Sequence, residues 1–219
     1  TGDVIPVLAE SWTVSDDALT YTFKLREGIT FHDGTAFDCE AAKYNYERWI
    51  NMPKEYSALE YTYYIDTAIK PVIASVACNS PTELAITLQA PNSAFLLTQT
   101  LTPFYMSSPA ALEAGQASNP DFSKNTYAQG GTGAMTGTGP FKFVSWTPGD
   151  KVTVEKNADY WDADNAAYLD GIVFQVIKDS TATLNALQEG GIDFTQTLSP
   201  TDAATAAEDA NLQAIDRGG

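Results

Sequence analysis

Residues 19–25 read Leu-Thr-Tyr-Thr-Phe-Lys-Leu, a stretch in which apolar and polar side chains alternate without a break. Tyr21, Phe23 and Leu25 share one face, and two threonines and a lysine share the other. Because successive side chains of a β-strand point to opposite faces of a sheet, this alternation predicts a strand with one buried face. Residues 16–18, Asp-Asp-Ala, are typical of a turn, so we expect the chain to begin with a hairpin.

An amphipathic helix is predicted after this hairpin. Asp38 is a favourable N-terminal cap, because its carboxylate accepts a hydrogen bond from a backbone N–H of the first turn. Apolar residues then recur at helical spacing on one face: Ala42, Tyr46, Trp49 and Ile50. Pro53 ends the helix. Two further strands are predicted at 72–77 and 83–89, joined by a loop at 78–82, and shorter helices are predicted at 95–101, 110–114 and 201–210.

The second half of the chain has a different character. Residues 119–138 are rich in glycine and small polar residues, which indicates a long loop or a crossing between two lobes. After a hairpin at 141–156, residues 172–177 are apolar on both faces, which predicts a fully buried strand. A helix from Ser180 and a short strand at 192–194 then give the order of a parallel βαβ unit. The pattern predicts a mixed α/β fold.

The charge balance disfavours two classes of partner. The chain of 219 residues carries 12 Lys and Arg against 28 Asp and Glu, so its formal charge is −16. Phosphate backbones and anionic membrane surfaces bind clustered Lys and Arg, so we expect neither nucleic acid nor an anionic membrane as a partner. No apolar stretch approaches the roughly 18 residues that a membrane-spanning helix requires.

Three motifs suggest chemistry, and each has an ordinary structural explanation. His32 beside Asp33 has the residue types of a general base oriented by a carboxylate, but a turn is favoured because no nucleophile motif lies nearby. Residues 137–140, Gly-Thr-Gly-Pro, lack the lysine and the helix of a phosphate loop, so we interpret them as a tight backbone crossing. The acidic residues between 162 and 170 lack the glycine and glutamate of a calcium loop, so we expect a solvated turn and no metal.

The two cysteines, Cys39 and Cys78, have two possible states. If the protein is exported, a disulfide between them is plausible, because oxidising compartments preserve disulfides. Two buried free thiols are the alternative. The sequence alone leaves both possibilities open, and we favour the bridge.

Aromatic residues are the strongest candidates for ligand binding. The chain holds 11 Tyr, 10 Phe and 4 Trp. The tyrosines at 56–64 and the pair Phe104-Tyr105 follow predicted helix ends, in loop-like contexts where aromatic rings offer a cleft both apolar area and hydroxyl groups. Ordinary packing at the edge of a lobe explains the same residues equally well.

Several motifs together resemble family 5 of the bacterial extracellular solute-binding proteins, the peptide- and nickel-binding components of ABC importers. They occur in the family's order and cover nearly the whole chain: VLAESW at 7–12, DALTYTFKLR at 17–26, FHDGTAF at 31–37, GTGPF at 137–141, NADYW at 157–161, YLD at 168–170 and LQEGGID at 187–193.

This resemblance implies a periplasmic-binding-protein fold of type II, in which two lobes close around a solute. Residues 1–10 would enter from the large lobe, residues 11–134 would form the small hairpin-rich subdomain, and residues 135–219 would begin the large α/β lobe. The second lobe would be absent, so the chain would be a fragment. The family implies a monomer that performs no catalysis, uses no cofactor, works outside the cytoplasm as a periplasmic protein or cell-surface lipoprotein, and delivers solute to ABC permease subunits.

The resemblance also implies where ligand contacts would lie. The candidates follow the first long helix, the second helix and a later strand of the large lobe: Tyr56, Tyr61, Tyr63, Tyr64, Thr102, Phe104, Tyr105, Leu198 and Ser199. An oligopeptide or dipeptide is the expected solute. The resemblance also disfavours nickel, because the nickel-binding relatives use arginine and tryptophan at these positions, whereas Lys70 is the only Lys or Arg between residues 56 and 105. The alternatives are a sugar, a metal complex, or an extracellular hydrolase that uses His32.

Overall fold

The computed structural model describes residues 3–53, 62–127, 129 and 135–215. The chain divides into two compact units, a first unit of Thr1–Ser145 with Val154–Ile172 and a second unit of Trp146–Thr153 with Val173–Gly219. Helices and strands both occur, which confirms the mixed α/β class. The predicted subdomain boundary after residue 134 stays a prediction.

A four-stranded antiparallel sheet forms the framework of the first unit. Its strands are β1 (Ala9–Val14), β2 (Thr20–Leu25), β3 (Ile73–Ser80) and β4 (Glu83–Leu88), in the order β1-β2-β4-β3. The alternation in β2 is confirmed, because Tyr21 and Leu25 are buried. The predicted loop at 78–82 is wrong in its first half. Ser80 pairs with Glu83, so β3 continues to Ser80 and the turn consists of Pro81 and Thr82 alone.

The predicted amphipathic helix is α1 (Cys39–Ile50), and its cap is the one expected. The Asp38 carboxylate accepts a hydrogen bond from the Ala41 N–H at 2.9 Å. Tyr46 and Trp49 enter the core, where their rings meet edge to face with centroids 5.0 Å apart. Cys39 begins the helix, and a disulfide joins it to Cys78 on β3, with the two Cα atoms 5.8 Å apart. The bridge therefore connects the helix to the sheet.

Short helices complete the first unit. They are α2 (Thr62–Tyr64), a π-helical turn (Ile65–Ile69), α3 (Phe95–Thr98), α4 (Pro109–Ala114) and 3-10 turns at Thr102–Phe104, Phe122–Lys124 and Ala163–Asn165. The helix predicted over 95–101 ends early at α3. The Thr100 hydroxyl donates to the Leu97 carbonyl at 2.7 Å, and such local side-chain bonds compete with the helical pattern.

The later strands form a second sheet in the order β5-β6-β7, with β5 at Phe141–Thr147, β6 at Lys151–Lys156 and β7 at Gly171–Gln175. The prediction of a fully buried strand at 172–177 is wrong. Val173 is 58% exposed and Phe174 55% exposed, because no other part of the described chain covers either side chain.

Two helices follow in the second unit, α5 (Ser180–Gln188) and α6 (Pro200–Glu208). The Ser199 N–H donates to the Ser180 hydroxyl at 2.7 Å and so joins their N-terminal ends. The predicted strand at 192–194 does not form, and with it the predicted parallel βαβ unit is wrong. A strand needs a neighbouring strand, and no described strand pairs with residues 192–194, where the Ile192 N–H instead donates to the Ala186 carbonyl at 3.3 Å. Across those ranges, no helix has both the length and the apolar character needed to span a membrane.

Candidate ligand-binding site

The first unit contains a cavity of about 770 Å³. Its floor is the hydrophobic core, where Leu25, Tyr46 and Phe104 are almost completely buried. Its rim includes Leu97 and Tyr105, which are 55% and 66% exposed. Eight aromatic rings contribute to the lining: Trp12, Phe23, Phe37, Tyr46, Phe104, Tyr105, Tyr160 and Trp161. Concave, mainly apolar cavities of this size are typical of small-molecule sites, so this cavity is the candidate site.

The sequence patterns explain how these rings converge. The alternation of β2 directs Phe23 and Leu25 to the same face, while α1 presents Tyr46 four residues after Ala42. Trp49 lies behind the cavity wall, and its ring meets that of Phe104 at 5.6 Å between centroids. The segment after α3 is therefore fixed from the inside by aromatic packing.

Asn45 holds the same segment through hydrogen bonds. It is buried, and its side-chain amide donates to the Ser107 carbonyl at 2.8 Å while its oxygen accepts from the Ser107 N–H at 3.1 Å. A second amide hydrogen bond reaches the Ala41 carbonyl within α1 at 2.9 Å. Asn45 thus satisfies both backbone groups of Ser107 and positions the preceding Tyr105 and Met106 at the cavity.

His32 fixes the backbone crossing that forms another part of the wall. Its Nε2 lies 2.9 Å from the Gly139 carbonyl, and its Nδ1 accepts from the Gly137 N–H at 3.3 Å. Its own backbone N–H donates to the Gly137 carbonyl at 2.9 Å. A neutral ring with its proton on Nε2 can donate to the Gly139 carbonyl and accept from the Gly137 N–H at the same time, so both ring nitrogens then have a partner. His32 therefore serves the crossing as a structural residue, which agrees with the turn favoured from the sequence.

The pKa of His32 agrees with this assignment. Burial lowers the pKa of the ring, and the nearby Lys142 lowers it further, while the Gly139 carbonyl and the Asp33 carboxylate act in the opposite direction. The net result is a pKa below the ordinary value, which favours the neutral ring.

Asp33 connects the same turn to helix α4. It accepts hydrogen bonds from the hydroxyls of Ser108 and Thr35, and the Ser108 hydroxyl also accepts from the Ala111 N–H as the cap of α4. Burial raises the pKa of Asp33, but these hydrogen bonds outweigh it and hold the pKa below its ordinary value. The pair His32 and Asp33 therefore organises backbone on both sides of the turn.

The site residues predicted from the sequence fall into three groups. Phe104 and Tyr105 line the cavity. Tyr63 and Tyr64 are exposed and stack edge to face at 5.6 Å, apart from the cavity lining, and Thr102 also lies outside that lining. Tyr56 and Tyr61 lie outside the described residues.

Leu198 and Ser199 belong to the second unit, where the Ser199 hydroxyl accepts from the Asp202 N–H at 3.2 Å as the cap of α6. Their part in ligand binding stays a prediction. The acidic turn behaves as an ordinary turn at Asp162, which accepts from the Asn165 amide at 2.8 Å. Within the described ranges, no group of three or more His, Cys, Asp or Glu could hold a metal ion.

Sequence reasoning missed Asn45 and the two tryptophans of the lining, Trp12 and Trp161. A signal for Asn45 was present, because it occupies the apolar face of α1 three residues after Ala42, where a polar residue requires buried partners. The tryptophans appeared only as parts of the motifs at 7–12 and 157–161. Nothing in those motifs indicated that two distant rings share one cavity.

Comparison with known proteins defines the class. The profile of the bacterial extracellular solute-binding proteins, family 5 Middle, matches residues 3–219. A similar curated protein is the glutathione-binding protein GsiB of Escherichia coli O1:K1, which is 35% identical over 207 residues, 94% of this chain and 36% of that protein. The chain thus spans about a third of the length of that relative.

Solved structures agree with this class. The periplasmic binding protein DppA of Helicobacter pylori, in complex with the peptide STSA, superposes with a TM-score of 0.82 at 28% identity, over 96% of this chain and 41% of that one. NikA of Brucella suis, in complex with Fe(III)-EDTA, has a TM-score of 0.71 at 25% identity, over 93% of this chain and 38% of that one. The fold is therefore part of a type II periplasmic binding protein.

The chain belongs to family 5 of the bacterial extracellular solute-binding proteins. The resemblance inferred from the ordered motifs is confirmed. Proteins of this family are substrate-binding components of ABC importers rather than enzymes.

Proposed function

We propose that the natural protein containing this chain binds a short peptide outside the cytoplasm and delivers it to the permease subunits of an ABC importer. The aromatic cavity of the first unit carries this proposal, because apolar walls with few polar groups suit side chains of a peptide. The protein would act as a monomer, either in the periplasm or anchored to the cell surface as a lipoprotein.

The relatives support a peptide over other solutes. GsiB is named for glutathione, which is a tripeptide, and the Helicobacter pylori DppA structure contains the peptide STSA. Both proteins resemble the chain over more than nine-tenths of its length. We infer that the solute shares a peptide backbone with these ligands.

A metal complex is the second candidate, because the Brucella suis NikA structure contains Fe(III)-EDTA. EDTA chelates of iron are anions, and an anion needs a positive group or several free N–H donors. Asp3 is the only charged residue among the described residues that line the cavity. The cavity therefore favours a peptide over a chelate.

The proposed mechanism is capture by closure. A type II binding protein holds its solute between lobes that rotate about a hinge, and the solute stabilises the closed form by contacting both lobes. The cavity described above would supply contacts from one side. The permease would then recognise the closed form.

Thermal unfolding of the natural protein tests the proposal. Peptides of two to five residues, free sugars, and nickel or iron chelates are added separately, and isothermal titration calorimetry follows for every solute that raises Tm. A bound peptide at about 100 times its Kd stabilises the folded protein by about 2.7 kcal/mol. Stabilisation by a sugar or a chelate, with none by any peptide, would overturn the proposal.

A pair of variants connects binding to the cavity. Tyr105→Ala removes a ring from the rim, and we expect it to weaken peptide binding by about tenfold, or about 1.4 kcal/mol. Tyr168→Ala is the matched control, because Tyr168 is fully exposed and lies apart from the cavity lining. Equal affinity in the two variants would contradict the assignment of this cavity as the binding site.

A further inference from the structure

Three polar side chains of the cavity, Tyr46, Gln99 and Thr100, form hydrogen bonds with the protein itself. The Tyr46 hydroxyl donates to the Gln99 oxygen at 2.9 Å, and the Gln99 amide donates to the Phe95 carbonyl at 3.3 Å. The Thr100 hydroxyl donates to the Leu97 carbonyl at 2.7 Å. A polar ligand group would have to break these hydrogen bonds or remain unpaired, and a buried unpaired group costs about 1–3 kcal/mol.

The backbone of the crossing is engaged in the same way. The Gly139 carbonyl accepts from the Asn157 amide at 3.1 Å in addition to its contact with His32. The Gly137 N–H and carbonyl both pair with His32. This wall of the cavity therefore presents atoms whose hydrogen-bonding capacity is largely used.

Charge at the cavity opposes anions. Asp3 is the only charged group among the described lining residues, and it is negative. Arg26 is not a lining residue but contacts two residues of the lining. Its Nε donates to the Val7 carbonyl at 2.6 Å, and its guanidinium lies 5.3 Å from the ring centre of Trp161. A carboxylate entering the cavity would meet the negative charge of Asp3, and no positively charged residue is among the described lining residues.

We propose that this cavity selects an uncharged apolar side chain of the bound peptide and rejects acidic side chains, with Leu97 and Tyr105 as specificity-determining residues at the rim. The inference rests on the proposed peptide function. Aromatic walls stabilise the apolar side chain by removing its surface from water, while the described lining offers a carboxylate no positively charged side chain. The protein therefore differs in preference from its glutathione-binding relatives, since glutathione carries carboxylates.

Nine tripeptides test this specificity in the natural protein. Each has alanine at two positions and leucine, asparagine or aspartate at the third, with all three positions sampled. Leucine, asparagine and aspartate have nearly the same shape, so their comparison separates polarity from charge. At one position we expect leucine to bind at least about tenfold tighter than aspartate, with asparagine between them.

Two arginine variants locate the effect. Leu97→Arg places a cation at the rim and is expected to reduce the leucine-to-aspartate affinity ratio by at least about fivefold, because it adds a positive charge to the lining itself. Leu101→Arg is the matched control, since Leu101 is also an exposed leucine of the first unit but does not line the cavity. The ratio should not change in the control, and both variants should retain the melting temperature of the wild type.

The outcomes separate the two proposals. Equal affinity for leucine and aspartate peptides at all three positions overturns the specificity and leaves peptide binding intact. An equal response of the ratio to Leu97→Arg and Leu101→Arg also overturns it, because the discrimination would then arise from overall charge. Binding of none of the nine tripeptides overturns the peptide function itself.

Discussion

Removal of the bridge between Cys39 and Cys78 should destabilise the first unit by about 4 kcal/mol. The bridge joins the first residue of α1 to β3 and closes a loop with a sequence separation of 39. Cutting it leaves the folded contacts of α1 in place but frees the unfolded chain to sample conformations in which residues 39 and 78 are far apart. The loss of stability therefore arises mainly in the unfolded state.

The magnitude follows from the loop length. In the chain-entropy description, a loop with a separation of 39 lowers the entropy of the unfolded chain by about 13 cal/mol/K, which is about 4 kcal/mol at 25 °C. With a urea m-value of about 2 kcal/mol/M, the unfolding midpoint should fall by about 2 M. Because the loop lies wholly in the first unit, a separate transition of the second unit should keep its midpoint.

Urea unfolding of the 219-residue chain, with and without a thiol reductant, measures this difference. Tryptophan fluorescence follows mainly the first unit, because Trp49 is only 2% exposed and becomes hydrated on unfolding. Trp146 of the second unit is already 37% exposed in the folded chain, so its signal should change less. The double variant Cys39→Ala/Cys78→Ala is the control for the reductant, which should leave its midpoint unchanged. The variant should be less stable than the reduced wild type, because it also loses the buried sulfur of Cys39.

Two results would refute the reasoning. Thiol titration of the unreduced chain in urea that finds two free thiols would show that the bridge does not form. Complete reduction that moves the midpoint by less than about 0.5 M would show that loop closure contributes little to stability.

Two further predictions concern the groups that shape the cavity wall. Burial lowers the pKa of His32, so the contribution of its neutral ring to stability is complete above the ordinary pKa of about 6.5 and declines as the pH falls below that value. Between about pH 7.5 and pH 5, the unfolding free energy of the wild type should therefore fall more steeply than that of His32→Gln. Parallel curves for the two proteins would contradict the role of the neutral ring. Asn45→Ala leaves both backbone groups of Ser107 unpaired and should cost about 2–4 kcal/mol in urea unfolding, whereas the exposed Asn51→Ala on the same helix should cost less than about 1 kcal/mol.

Local patterns predicted local structure well where one face of an element meets the core. Strand β2 and helix α1 bury the residues that their periods of 2 and 3.6 select, because the hydrophobic effect acts on each face directly. Strand β7 shows the limit of this reasoning. Its apolar residues on both faces indicate a preference for burial, but burial requires neighbours, and Val173 and Phe174 have none in the described chain.

Pairing is likewise a property of two segments rather than one. Residues 192–194 have the composition of a strand, yet a strand is stabilised only by hydrogen bonds with a partner. The boundary of β3 gives the converse case. The loop-like residues 78–80 remain in the sheet because β4 pairs with them as far as Ser80.

The candidate site was only partly predictable, because its shape depends on contacts between residues far apart in sequence. Their loop-like context and the resemblance identified Phe104 and Tyr105, but the cavity also contains Trp12 and Trp161, whose proximity follows from the chain path. A single sequence contains no direct record of that path. Residue type indicated the chemistry of the site, and the tertiary fold decided which residues share it.

Two polar residues, Asn45 and His32, have structural roles that the hydrophobic pattern of the sequence does not reveal. Asn45 lowers the apolar character of α1, and His32 occupies a turn where many residues would serve. Each is retained in the structure by hydrogen bonds to the backbone of a distant segment, at Ser107 and at Gly137 with Gly139. These two segments contribute to the cavity wall, and the hydrogen bonds hold their backbone in addition to the aromatic packing of Phe104. The rigidity of the candidate site therefore depends on two polar side chains, which is why their replacement should alter ligand affinity as well as stability.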